Sequence, residues 1–207
     1  MAKDNSAEFY FVDGLVDQPA GEGIEGFYEG PYYGYFRCDY LLAQRDVDSL
    51  SKALKSSVFQ ESVTAAYDFI YKIIEEEGPF DGILGFSHGA TLAFAFLMQH
   101  ANKHPLDPPF ALFRCAVFIA GPAPLGEDGK RLRFSKEQGP LLRLPTVHIA
   151  GKDDALFQES LNLYRLCEEE TATLVCHTKG HLIPRDQENT IAIAKAIRDL
   201  TRKTMVM

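Results

Sequence analysis

The segment Gly85-Phe86-Ser87-His88-Gly89 carries the sharpest chemical content in this chain. A serine hydroxyl is a weak nucleophile until a base takes its proton, and that base needs a third group to hold it. The Gly-x-Ser-x-Gly spacing suits a nucleophile placed on a strained turn between a strand and a helix. There the flanking glycines let the two elements approach without clashing Cβ atoms. Such a turn lifts Oγ above the sheet. It also aims the next backbone N–H, that of His88, at the place where an oxyanion would form. The bland alternative is a chance glycine-flanked serine, and context decides between the two. Gly82 to Phe86 reads as a short buried strand and about Ser87 to Gln99 as a helix, which is the setting the turn requires.

Candidates for the base are few. Where a strand-borne nucleophile is followed by an acid and then a histidine, only His177 and His181 come late enough. His181 lies in Lys179-Gly180-His181-Leu182-Ile183-Pro184, a turn after the last expected strand, from which a ring can be aimed at Ser87. His177, four residues earlier at the strand end, reads as a partly buried strand histidine. His148 sits inside a strand, and His100 and His104 belong to a helix end, where a charged imidazole suits the dipole. His88 is expected to point away from Oγ and to line the pocket. The acid comes from Gly151-Lys152-Asp153-Asp154, directly after a strand, because catalytic groups gather at the carboxyl ends of parallel strands. Either aspartate can hold the imidazole tautomer, with the other left to cap the next helix. Asp186 follows His181, breaks the order and reads as surface.

The elements that must position these groups alternate between strand-like and helix-like runs, which predicts a mostly parallel sheet covered by helices. Strands are expected at Glu8 to Asp13, Gly82 to Phe86, Phe113 to Ala120, Thr146 to Ala150 and Thr173 to His177. Ser57 to Glu77 is predicted as a helix, with Ser57 and Gln60 as a capping box. Its apolar face is Val63, Ala66, Tyr67, Ile70, Ile73 and Ile74, and Gly78-Pro79 ends it. Further helices are expected at Leu156 to Glu169 and Thr190 to Lys203. Pro19 to Tyr40, rich in glycine and aromatics, reads as a long loop, and 121–145 as a loop or lid.

With 207 residues, 46% of them hydrophobic, the chain is long enough for one domain over 1–207 with a sizeable core. Its 21 basic and 29 acidic residues leave a net charge of −8, with no basic stripe. Nucleic acid and anionic membranes are therefore not expected partners. The first residues lack an apolar signal core, and no apolar run is long enough to span a bilayer. Four cysteines without metal-like spacing read as reduced thiols in a cytoplasmic protein. No metal or organic cofactor is implied, since no phosphate-cradling glycine motif occurs and the His and Asp candidates are already accounted for.

Together these residues resemble the serine hydrolase family of α/β-hydrolase fold that includes fungal polyketide-tailoring thioesterases and the ovarian-cancer-associated hydrolase. The likeness rests on Phe11-Val12-Asp13-Gly14, Gly30-Pro31-Tyr32-Tyr33, Gly78 through Ser87, Gly151-Lys152-Asp153-Asp154 and Gly180-His181-Leu182-Ile183-Pro184. It implies an α/β-hydrolase-like three-layer sandwich. Its Gly-x-x-Asp motif puts the acid on Asp154, and its Gly-His-x-x-Pro motif puts the base on His181. It assigns His88, Gly14, Tyr32 and Tyr33 to the oxyanion site or pocket wall. Two departures stand out. His88 replaces the family's usual glutamine. The family's opening strand, with the His-Gly turn that supplies a second oxyanion donor, has no counterpart, so the fold is expected to be N-terminally truncated.

The expected activity is cleavage of an ester or thioester of an apolar, polyketide-like acyl group through an acyl-Ser87 intermediate, in secondary metabolite biosynthesis. Aromatic residues from Gly26 to Tyr40 and the 121–145 segment are expected to wall the pocket, unless they merely cover the core. Two other readings stay open: a repurposed relative that cyclises or rearranges a small molecule without an acyl-enzyme, and a non-catalytic binding protein. Expected partners are a small-molecule acyl substrate, with delivery by a carrier protein left open, and a second copy that completes the sheet.

Overall fold

The computed structural model describes residues 7–20, 29–37 and 47–204. The chain's contacts divide into two compact units, parting between Ile70 and Tyr71.

The first unit holds a small antiparallel ribbon of β1 (Val16–Gln18) and β2 (Tyr32–Gly34). Gly14 lies so close to the Gly34 backbone that any side chain there would overlap it. The strand expected at Glu8 to Asp13 does not form. Its run of aromatic and β-branched residues, Phe9 to Val12, suits a pleated surface, but a strand needs a neighbour for its N–H and C=O groups. Phe9, Tyr10 and Phe11 are instead 56, 52 and 88% exposed, and the Tyr35 hydroxyl donates to the Val12 carbonyl. A short helix, α1 (Val47–Leu54), was not anticipated. The long helix α2 (Ser57–Glu77) has the predicted bounds and buries Ala66 and Tyr67 of the expected face. Its cap differs from the expected box. Ser56 Oγ accepts the Phe59 N–H at 3.3 Å, one residue before the predicted Ser57, and Gln60 Nε2 donates to the Leu54 carbonyl at 2.6 Å. The expected loop of 19–40 contains β2, and parts of it lie outside the described residues.

The second unit is a four-stranded, wholly parallel sheet in the order β3 (Gly82–Phe86), β4 (Cys115–Ile119), β5 (Thr146–Gly151), β6 (Ala172–His177). Three helices cover it: α3 (His88–Lys103), α4 (Phe157–Arg165) and α5 (Gln187–Thr204). Both inner strands are buried along their whole length, as expected of parallel strands with helices on both faces. On one face Val117, Ile119, Val147 and Ile149 pack against Leu200 of α5, with Ile193 and Ile197 beside them. On the other, Phe118 meets Phe94 of α3 with ring centroids 5.9 Å apart, and His148 meets Tyr164. This is the three-layer arrangement the resemblance implies.

Helix α4 stops at Arg165, not at the expected Glu169. The Leu166 carbonyl accepts the N–H groups of Leu141 and Leu142, and Cys167 bridges to Leu142. The 121–145 segment is fastened to α4. Arg133 meets Glu159 at 2.7 Å, and Asn162 Nδ2 donates to the Leu132 carbonyl at 2.7 Å. Among the described residues no helix is long and apolar enough to cross a membrane.

Candidate active site

In a parallel sheet all carboxyl ends lie on one side, so the turns leaving β3, β5 and β6 gather there. Ser87 leaves β3 at φ 53° and ψ −118°, in a region that side-chain-bearing residues enter only when the surroundings hold them. What holds it is visible. The Ser87 N–H donates to the Ile119 carbonyl at 2.8 Å, extending the β3–β4 ladder. The Ser87 carbonyl then accepts the first helical bonds of α3, from Ala90 at 3.0 Å and Thr91 at 3.2 Å. Gly85 must be glycine, because a Cβ there would strike the Gly89 carbonyl and the Ala90 nitrogen. This is a strained strand-to-helix elbow with the serine at its apex.

Asp154 leaves β5 in a turn closed by its own N–H to the Gly151 carbonyl at 3.1 Å. Its side chain is 2% exposed and uses both oxygens. Oδ1 accepts the Leu156 N–H at 2.8 Å, tying off the start of α4, and Oδ2 accepts from His181 Nδ1 at 2.7 Å. The neighbouring Asp153 is exposed. One aspartate therefore does both jobs that the sequence divides between two. His181 Nε2 stands 2.9 Å from Ser87 Oγ. Because a carboxylate can only accept, Nδ1 carries the proton, and Nε2 presents a lone pair to the serine hydroxyl. The imidazole is 38% exposed and lies against Phe86, with centroids 5.1 Å apart, and the exposed Leu182 and Ile183 follow it.

The acid and base turns are joined to one another. The Lys152 N–H donates to the His177 carbonyl at 2.7 Å, and the Asp153 N–H to the Lys179 carbonyl at 3.4 Å. A side chain on Gly151 would meet the Lys179 and Gly180 carbonyls. Beside the elbow, Thr91 Oγ1 donates to the Pro122 carbonyl at 2.8 Å. Ala120 also has a positive φ, 49°. Sequence reading missed these supports. Gly151 was visible within Gly-Lys-Asp-Asp, but its contact with the base turn depends on sheet register.

His88 is half-buried, and burial lowers its pKa. Tyr32 and Tyr33 lie in β2 of the first unit's ribbon, where Tyr32 packs on Gly30 and Tyr33 is 45% exposed, and Gly14 precedes β1 and lies against Gly34. His148 is buried beside Thr146, with its pKa lowered to about 3 by burial. Burial raises the Cys115 and Cys167 thiols to about 11 and about 12, so neither is a ready nucleophile. Cys38 lies outside the described residues. Asp186 is exposed, as expected, and accepts from Asn189 at the start of α5. A cavity of about 520 Å³ between β6 and α5, lined by Thr171, Thr173 and Lys195 among others, lies at the opposite end of β6 from His177 and contains none of these groups.

Residues 1–193 match the serine hydrolase (FSH1) family. The chain belongs to that family. This FSH1-family chain is 34% identical to the hydrolase phiM of Talaromyces stipitatus over 195 residues, covering 88% of this chain and 70% of that protein. It is 34% identical to the esterase FPY3 of Fusarium mangiferae over 212 residues, covering 100% and 87%. With the esterase OVCA2 of Danio rerio it shares 32% over 142 residues, covering 69% and 55%. The family and these relatives make it an esterase-type serine hydrolase, with the α/β-hydrolase-like fold that the resemblance implies.

Proposed function

We propose that the protein cleaves an ester or thioester of an apolar, polyketide-like acyl group through an acyl-Ser87 intermediate, as a cytoplasmic step in secondary metabolism. The observation that carries this reading is the continuous chain Ser87 Oγ–His181 Nε2 (2.9 Å) and His181 Nδ1–Asp154 Oδ2 (2.7 Å).

In this mechanism Ser87 Oγ attacks the acyl carbon while His181 Nε2 takes its proton. Asp154 stays ionised, holds the ring in the required tautomer and stabilises the imidazolium. The His88 N–H, at the head of α3, donates to the developing oxyanion, where helix polarity also favours negative charge. Collapse of the tetrahedral intermediate breaks the bond to the alcohol or thiol, which leaves with the proton from His181. Water then loses a proton to His181 and attacks the acyl-serine; His181 returns that proton to Ser87 Oγ as the acyl bond breaks and the acid is released. Phe86, Leu182 and Ile183, apolar neighbours of the catalytic ring, suit an apolar acyl group, and buried high-pKa thiols suit a reducing compartment. The relatives' names, hydrolase and esterase, support the ester side of the proposal.

A fluorophosphonate probe tests it first. Wild type is expected to label, and Ser87→Ala to lose labelling completely. In both Ser87→Ala and His181→Ala, turnover should fall roughly 10⁶-fold, the scale seen for triad removal in other serine hydrolases. Thioesters and esters of graded chain length then rank the acyl group. Turnover that survives Ser87→Ala would instead mark a rearrangement without an acyl-enzyme.

A further inference from the structure

We infer that His177 is a positioning residue for the base: its imidazole Nδ1 accepts the Lys179 backbone N–H and thereby fixes the turn that aims His181 at Ser87. The inference rests on the Ser87–His181–Asp154 reading and adds to it a fourth side chain, one outside the hydrogen-bonded chain of those three.

The contact is 3.1 Å from Lys179 N to His177 Nδ1. A peptide N–H can only donate, so Nδ1 must carry a lone pair, and the neutral ring keeps its proton on Nε2. His177 as a residue is 3% exposed, and its ring lies over Gly151, where a Cβ would stand 2.9 Å from His177 Cε1. It cannot swing away without displacing the strand end beneath it. Burial, the largest influence, lowers its pKa against the pull of Asp186 and Asp154 and alongside the push of Lys179, which keeps the accepting form at neutral pH.

The Lys179 peptide is thus held on both sides. Its N–H goes to the His177 ring, and its carbonyl accepts the Asp153 N–H of the acid turn at 3.4 Å. His181 follows two residues later. A side chain therefore supplies, within the base turn, the acceptor that a ladder partner supplies to the residues of β6. A hydrogen bond from Ser87 to His181 tolerates little drift, since a displacement of about 1 Å can cost roughly 100-fold in rate.

Two variants of the full chain separate positioning from packing. H177N keeps an oxygen acceptor at the same number of bonds from Cβ as Nδ1, and H177L keeps bulk but no acceptor. With a p-nitrophenyl ester, H177L is expected to lower kcat roughly 10- to 100-fold. KM should stay within about twofold, because the substrate pocket is untouched. The fluorophosphonate labelling rate should fall in parallel, and H177N should restore both to within about threefold of wild type. Should H177L not fold, H177Q takes its place, since its amide oxygen sits one bond too far out. Equal losses in H177N and H177L, or wild-type kcat in the acceptor-less variant, would overturn the positioning role while leaving the triad intact. A folded wild type that does not label, or labels equally as Ser87→Ala, would overturn the triad reading and this inference together.

Discussion

The two halves of the candidate site are supported in different ways. The acid and base leave β5 and β6, and their turns are sewn to one another by the Lys152–His177 and Asp153–Lys179 backbone bonds. Behind them β5 is buried along its full length. The nucleophile leaves β3, which among the described strands pairs with β4 alone and leaves Leu84 43% exposed. One half is held by reciprocal hydrogen bonds and close packing. The other is a strained elbow, held by the Ser87–Ile119 bond and the first bonds of α3 on a strand that pairs, among the described strands, on one side. Geometry of similar quality, 2.7 Å on one side and 2.9 Å on the other, therefore rests on unequal foundations.

The largest effect that tests this contrast comes from Asp154. Asp154→Asn should lower kcat about 10⁴-fold, the cost of a wrongly held tautomer in the triad. It keeps an acceptor for the Leu156 N–H, so urea unfolding should change little. Asp154→Ala removes that acceptor too and should cost about 1 kcal/mol more in stability, the usual net value of a lost hydrogen bond. Next comes Gly151→Ala beside Gly85→Ala. The first should push the Lys179 and Gly180 carbonyls away, lowering kcat about 100-fold and stability by about 1–3 kcal/mol. The second distorts the elbow and should slow fluorophosphonate labelling while leaving the His181–Asp154 proton signal in NMR unchanged. If that proton signal shifts in both, the two halves are mechanically one.

A smaller effect concerns acid. The pKa of His148, buried in β5, is lowered to about 3. Between that value and its ordinary value near 6.5 the unfolded chain binds a proton that the folded chain does not, so folding stability falls as pH drops through this window. Every tenfold loss of proton affinity on folding corresponds to about 1.4 kcal/mol. Urea midpoints measured from pH 7 to pH 4 should decline, and His148→Gln should flatten the decline.

The sequence made some of this legible and concealed the rest for physical reasons. Helix α2 was readable to its ends because its apolar period and the Gly78-Pro79 stop are local signals. The elbow was readable because its glycines answer a local steric demand. Glu8 to Asp13 misled, because a run of aromatic and β-branched residues shows what suits a strand and not whether a neighbour exists to pair with it. Residues alone left Asp153 and Asp154 equal, and only the turn buries one and exposes the other. Leu166 ends α4 through bonds to Leu141 and Leu142, partners some 25 residues away that no helix-stop rule can see.

Ser87 also sets activity against stability. Its φ of 53° suits glycine better than serine, and such a conformation costs on the order of 1–3 kcal/mol. Ser87→Gly should therefore give a protein that is inert and harder to unfold.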